Sequence, residues 1–185
     1  MFLYLVPLLL GFVFNSASAF TIFYSRHLGE RGGRLVSIVL RDVVGIPVWA
    51  IGYGMAAIAT SSRLFNPNSI SFTLAWLFIL AGVAIIITGL VSLRWRAAAP
   101  SVQDTLVVQG LYTHIRHPLY SGMILELIGL FLWIATLSVL MACILGVLCV
   151  MVEARLEEMD LVERLPAYKE YMQRVPRFVP RLKQR

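Results

Sequence analysis

Four stretches of this chain run for twenty or more residues almost without charge, and each is long enough to cross a lipid bilayer. Met1–Ser25, Val43–Ser62 and Leu64–Leu93 contain no charged side chain, and Glu126 is the only one between Pro118 and Val152. A helix rising about 1.5 Å per residue needs about 20 mostly apolar residues to span the hydrocarbon. The chain as a whole is 59% hydrophobic and 14% charged, whereas a soluble domain carries about 25% charged residues. These runs predict an all-α integral membrane protein and exclude a soluble globular domain. The formal charge of +6 fits basic loops beside anionic lipid. No nucleic-acid motif accompanies it, and no nucleic-acid partner is expected.

The spacing predicts five transmembrane helices and a short cytoplasmic helical tail. Residues 1–93 form an expected three-helix membrane region, with helices over about 2–24, 35–59 and 70–93. Residues 94–185 form an expected second region of polar connector, membrane hairpin and tail. Ala17-Ser18-Ala19 has the look of a signal cleavage site, but no basic residue precedes the apolar run, so a retained helix is expected. Asn66-Pro67-Asn68-Ser69 is a turn-forming stretch that also offers a helix cap. The apolar region from Leu119 to Val152 is about 51 Å long as one helix. It therefore predicts two helices with a turn near Ala135-Thr136-Leu137-Ser138; one tilted helix is the alternative.

If the helices alternate in direction, residues 25–34, 94–118 and 153–185 share a side. That side holds Arg26, Arg31, Arg34, Arg94, Arg96, Arg116 and eight basic residues beyond Glu153, against Arg63 opposite. Short basic loops stay inside, so the amino terminus is expected outside and the tail in the cytoplasm. In the tail, Leu161, Leu165, Tyr168, Met172 and Val175 recur at three- and four-residue intervals and predict one apolar stripe. Pro166 should divide the tail into two helices, and Pro176 should end the second.

Polar residues collect where this topology brings the cytoplasmic segments together. His114, Arg116, His117 and Tyr120 flank Pro118, which suits the first turn of a helix. Such a helix end favours an anionic group; plain interfacial anchoring is the competing reading. Glu126 lies on a face with Gly122, Gly129 and Trp133, where the glycines would admit another helix closely. It could serve catalysis or a hydrogen bond across the bundle. Glu153 and Glu157 share a helical face, with Glu158 offset by about 100°. These carboxylates could hold a ribose, an amine or a cation, or form a wet helix face. Cys143 and Cys149 read as buried small residues, and neither a disulfide nor a metal site is indicated. Phosphate-binding glycine motifs are absent from the sequence.

Taken together, Gly110-Leu111-Tyr112-Thr113-His114-Ile115-Arg116-His117-Pro118-Leu119-Tyr120-Ser121-Gly122, then Glu153-Ala154-Arg155-Leu156-Glu157-Glu158, Tyr168-x-x-Tyr171 and Val175-Pro176-Arg177-Phe178-Val179-Pro180, resemble a known family pattern. It is that of the membrane-embedded methyltransferases that include isoprenylcysteine carboxyl methyltransferase and the phospholipid methyltransferases. The resemblance covers about residues 106–180, and Leu165-Pro166-Ala167 departs from it by one residue. It implies S-adenosylmethionine as methyl donor, in a cytoplasm-facing pocket. By position it implies cofactor binding by His117, Tyr120, Gly122, Glu157, Glu158, Tyr168 and Tyr171. Arg174 and Arg177 become candidates near the acceptor or the donor's carboxylate. The expected acceptor is lipophilic, an isoprenylcysteine carboxylate or a lipid amine, reached from the bilayer. A membrane reductase of a steroid-like substrate and a noncatalytic assembly subunit are the alternatives.

Overall fold

A computed structural model describes residues 2–93 and 105–181, and the described residues form helices without a β-strand. Arg94 and Arg96 lie outside them. Helix α1 is Leu5–Ser18; α2, Thr21–Ile38, runs through a π-helical stretch, Val39–Gly45, into α3, Ile46–Ile58. Helix α4 is Ser69–Leu93, α5 is Pro118–Ile134, α6 is Leu137–Arg164 and α7 is Tyr168–Arg174. Three segments are long and apolar enough to cross a membrane: Thr21–Ile58, Ser69–Leu93 and Leu137–Arg164. The shorter apolar helices α1 and α5 pack with them.

The first expected helix is shorter than its apolar run. It stops at Ser18, and Phe20 leaves the helical region at ψ 56°. The carboxylate of Asp160, 138 residues away, then accepts the amide of Ile22 at 3.0 Å and helps start α2. An acceptor so remote in sequence has no local signature. The expected loop at 25–34 is also helical, but it breaks at Gly29, whose φ of 71° suits glycine. Gly33 then packs on Ser25, where a Cβ would meet the Ser25 nitrogen at 2.7 Å. The π turn precedes Pro47, which cannot donate to an earlier carbonyl and would clash with it in a regular helix.

The other boundaries follow the sequence more closely. Asn68 caps α4 by accepting the Ser71 amide at 3.0 Å, and Ser71 Oγ accepts the Asn68 amide at 2.8 Å. The hairpin turn falls at Ala135–Thr136, with Ala135 left-handed at φ 53°. Two backbone bonds hold this turn: Leu64 donates to Ala135 at 2.8 Å, and Leu137 donates to Ser62 at 3.0 Å. The α3–α4 loop and the α5–α6 turn therefore meet at one end of the bundle. At the other end, Ile22 and Arg26 meet Asp160 and Glu163.

Two kinds of packing hold the bundle. Tyr4, just before α1, and Leu8 and Phe12 of α1 pack with Tyr53 and Ala56 of α3 and with Val139, Ala142 and Cys143 of α6. Helices α4 and α5 approach through small residues: Gly122 faces Gly82, and Gly129 faces Ala75. Lipid tails are as apolar as leucine, so close backbone contact supplies this attraction rather than escape from water. The outer face of α4 leaves Ile70, Leu77, Leu80 and Val91 exposed, as a lipid-facing surface does. In the tail, Tyr168, Tyr171 and Val175 bury against Leu106, Leu161, Leu165 and Met172. The predicted stripe is thus the tail's packing face, divided at Pro166 and ended at Val175 as expected.

Candidate functional site

Helix α6 has 28 residues and is therefore about 42 Å long, which exceeds the hydrocarbon thickness of about 30 Å. Its last turns project beyond the apolar bundle and carry Glu157, Glu158, Asp160 and Arg164. Helix α5 begins beside them, with His117 at its N-cap and Pro118 in its first turn. The backbone amides of Arg116 and His117 are not left for an anion. They donate to Pro176 and Arg177 carbonyls at 2.9 and 3.0 Å, so the tail is laced across the start of α5.

Glu158 sits at the centre of this lacing with its side chain 3% exposed. Arg116 Nε donates to it at 3.1 Å, His117 Nε2 lies 3.1 Å away, and Arg177 donates through Nε at 3.0 Å and through Nη2. Arg116 Nη1 also donates to the carbonyls of Met172 and Val175, at 2.5 and 2.8 Å. Burial alone would raise the Glu158 carboxyl, but the His117 and Arg177 hydrogen bonds and the Arg116 charge hold it at about 2. Burial likewise pushes the His117 imidazolium down, and Glu157 and Glu158 outweigh it and pull its pKa up. The His117 Nδ1 contact to Glu157 is longer, at 3.5 Å.

Beside this cluster lies a cavity of about 780 Å³, within the size range of small-molecule sites. His117, Tyr120, Glu157, Tyr168 and Tyr171 line it, so residues from three separated segments share one cavity. His117 stacks on Tyr120 with centroids 5.4 Å apart, and Tyr171 donates from its hydroxyl to the Tyr112 carbonyl at 2.6 Å. The Glu157 side chain is 43% exposed, and that exposed surface lines the cavity. Burial would raise its carboxyl, but the His117 hydrogen bond and the charges of His117, Arg41 and Arg164 hold it low. Glu157 is thus an ionised carboxylate at a wall rich in tyrosine.

The other candidates have different surroundings. Gly122 is buried against α4, where a Cβ would meet the Gly82 carbonyl at 2.6 Å, and it does not line this cavity. Glu158 and Arg177 pair with each other behind the wall. Arg174 is 73% exposed and lies 3.8 Å from Glu170, away from the cavity. Glu126 does reach the cavity, and Glu153 does too. The cavity also takes Asn15 from α1, Arg41 and Asp42 from the π turn, Trp49 from α3 and Tyr112. Sequence reasoning did not select these. The one usable signal was the adjacent Arg41–Asp42 pair between two apolar runs.

A helical membrane protein with an aromatic and acidic cavity at one end is the class that this fold and cavity define. Residues 94–163 match the model of the Isoprenylcysteine carboxyl methyltransferase (ICMT) family, whose members are S-adenosylmethionine-dependent methyltransferases. This match, over fewer than half of the residues, bears out the resemblance seen in the motifs and supports a membrane methyltransferase. The matched stretch holds His117, Tyr120, Glu157 and Glu158 and ends before Tyr168. No curated protein and no solved structure gives a significant match.

Proposed function

We propose that this protein transfers a methyl group from S-adenosylmethionine to a lipophilic acceptor, with the donor in the 780 Å³ cavity. The convergence of His117, Tyr120, Glu157, Tyr168 and Tyr171 on one cavity carries this reading. A cationic, partly aromatic donor fits such a lining. The four tyrosines lining the cavity, Tyr112 among them, offer flat faces to a purine. The ionised Glu157 favours a sulfonium or binds ribose hydroxyls.

The donor supplies an already activated methyl group, so the chain's work is to align the acceptor and exclude water. Tyr120 is held by its stack on His117, and His117 is held by Glu158. Glu158, Arg116 and Arg177 are positioning residues, since they fix the tail that carries Tyr168 and Tyr171. An acceptor carboxylate would react as the anion, whereas an amine must first be neutral.

All five apolar helices cross the bilayer in this reading, with the amino terminus outside and the tail in the cytoplasm. The donor enters from the cytoplasm, and the acceptor enters from the lipid, because burial of a long chain in water-facing transit would forfeit its partitioning. Equilibrium binding of S-adenosylmethionine to purified protein tests the donor site. Wild-type protein should bind it, and Glu157→Gln and Tyr120→Ala should each weaken binding by about tenfold, the cost of one charge-assisted contact or lost stack. Absence of binding to folded wild-type protein overturns the assignment.

A further inference from the structure

We propose that Arg41 and Asp42 hold the amino-acid end of the methyl donor, Arg41 taking its carboxylate and Asp42 its ammonium group. This rests on the methyltransferase reading and adds two donor-binding residues from the amino-terminal half, outside the stretch that matches the family model.

S-adenosylmethionine has two ends of different chemistry. The tyrosines and Glu157 suit its adenosine and sulfonium, which leaves a zwitterion, an α-ammonium beside an α-carboxylate. A carboxylate drawn into a cavity needs a cationic partner there. Three side chains that can carry positive charge line this cavity: Arg41, His117 and Arg164. Two of them are enclosed by acids. The His117 side chain is 5% exposed between Glu157 and Glu158. The Arg164 side chain is 6% exposed against Asp160, itself 7% exposed. The Arg41 side chain is 32% exposed and that of its partner Asp42 is 38% exposed. Arg41–Asp42 is therefore the accessible ion pair of the cavity lining.

The arrangement of this pair matches a zwitterion. Arg41 donates to Asp42 through Nε at 2.8 Å and through Nη2 at 3.0 Å, so a guanidinium and a carboxylate lie side by side. An amino acid laid against them sets each of its charges beside the opposite one. The two residues also neighbour the surface assigned to the rest of the donor, since the charge of Arg41 acts on both Glu157 and Tyr120. Ionised Glu157 repels a carboxylate and attracts a sulfonium, which fixes the sense in which the donor lies. Only two methylenes separate the sulfonium from the α-carbon, so a short arm joins the two subsites. Both residues stand in the π-helical stretch Val39–Gly45, and π turns inside helices occur frequently at functional sites.

The test is equilibrium binding to the full chain in detergent micelles of fixed composition. The probes are S-adenosylmethionine, its decarboxylated form, which keeps the ammonium, and a dimethylsulfonium analogue of adenosine, which has neither group. Wild type should bind S-adenosylmethionine at least about tenfold more tightly than the decarboxylated form, as expected for one charge-assisted contact. Arg41→Gln should reduce that ratio to about threefold or less, with affinity for the dimethylsulfonium analogue within about threefold of wild type. Asp42→Asn should reduce the preference for the decarboxylated form over the dimethylsulfonium analogue in the same way. Equal or tighter binding of the decarboxylated form by wild type overturns the proposal and leaves the donor reading standing, and this comparison needs no variant to fold. Retention of the full ratio by folded Arg41→Gln also overturns it. An equal loss of affinity for all three probes in that variant marks a structural role and overturns it too. Failure of folded wild type to bind any of the three overturns the donor reading, and the proposal with it.

Discussion

Replacing Glu158 by Gln keeps the side chain's shape and removes the one negative charge shared by Arg116, His117 and Arg177. The carboxyl is held at about 2, against an ordinary 4.5, and at about 1.4 kcal/mol per pH unit this difference is about 3 kcal/mol. An independent comparison agrees: removing one partner of a buried ion pair costs about 3–5 kcal/mol. For a chain of this size, about 1 kcal/mol moves the midpoint by about 2–4 °C, so Glu158→Gln should lower Tm by about 6–12 °C. The sign with pH follows from the depressed value. The stabilisation is fully present above 4.5 and is lost as pH falls towards about 2. Wild type and variant should therefore differ most near pH 6 and converge only as pH falls to about 2. Thermal unfolding in detergent, read by tryptophan fluorescence across this range, measures both effects. Limited proteolysis near Arg174 should also quicken, because the tail loses the anchor of Arg177. A variant within about 2 °C of wild type at pH 6, a shift below about 1 kcal/mol, would refute the claim that Glu158 organises the tail. Donor affinity should fall with it through misplacement of His117 and Tyr168, since Glu158 does not line the cavity.

Gly122→Ala should destabilise by about 1–3 kcal/mol through overpacking against the Gly82 backbone. Gly54→Ala, with open space around its Cβ, should be neutral or slightly stabilising in the same melting assay. Tyr171→Phe removes the hydrogen bond to the Tyr112 carbonyl and should cost about 1–3 kcal/mol and loosen donor binding. Single cysteines at Arg31, Asn66 and Lys169, in a chain with Cys143 and Cys149 replaced by Ala, should label from the cytoplasm, from outside and from the cytoplasm respectively. Cytoplasmic labelling at Asn66 together with outside labelling at Lys169 would invert the topology. In lipid vesicles, acceptors with matched heads should be methylated better as the tail lengthens, and equal turnover of a tail-free acceptor would argue against entry from the bilayer.

The sequence by itself determined the solvent. Uncharged runs at Met1–Ser25, Val43–Ser62 and Leu64–Leu93, and Leu119–Val152 with Glu126 as its one charge, could not fold as a soluble domain. Length alone placed a turn near Ala135, because one helix over the last run would overshoot the bilayer. The tail stripe of Leu161, Leu165, Tyr168, Met172 and Val175 and its break at Pro166 were legible because helical periodicity and the missing proline amide act locally. The family resemblance also grouped His117, Tyr120, Gly122, Glu157, Glu158, Tyr168 and Tyr171, and all of these but Gly122 and Glu158 line the cavity. Only the tertiary structure decided what each neighbouring charge does. Glu157 and Glu158 are adjacent in sequence, yet the helical offset turns one into the cavity and the other into a ring of Arg116, His117 and Arg177. Arg177 and Arg174 look alike as tail arginines, but one meets Glu158 and the other stays at the surface. The start of α2 is bonded to Asp160, and the cavity lining combines Asn15, Trp49 and Glu153 from helices far apart in the chain. Burial and pairing across such separations depend on how the helices pack, and a linear pattern of residue types does not specify that packing.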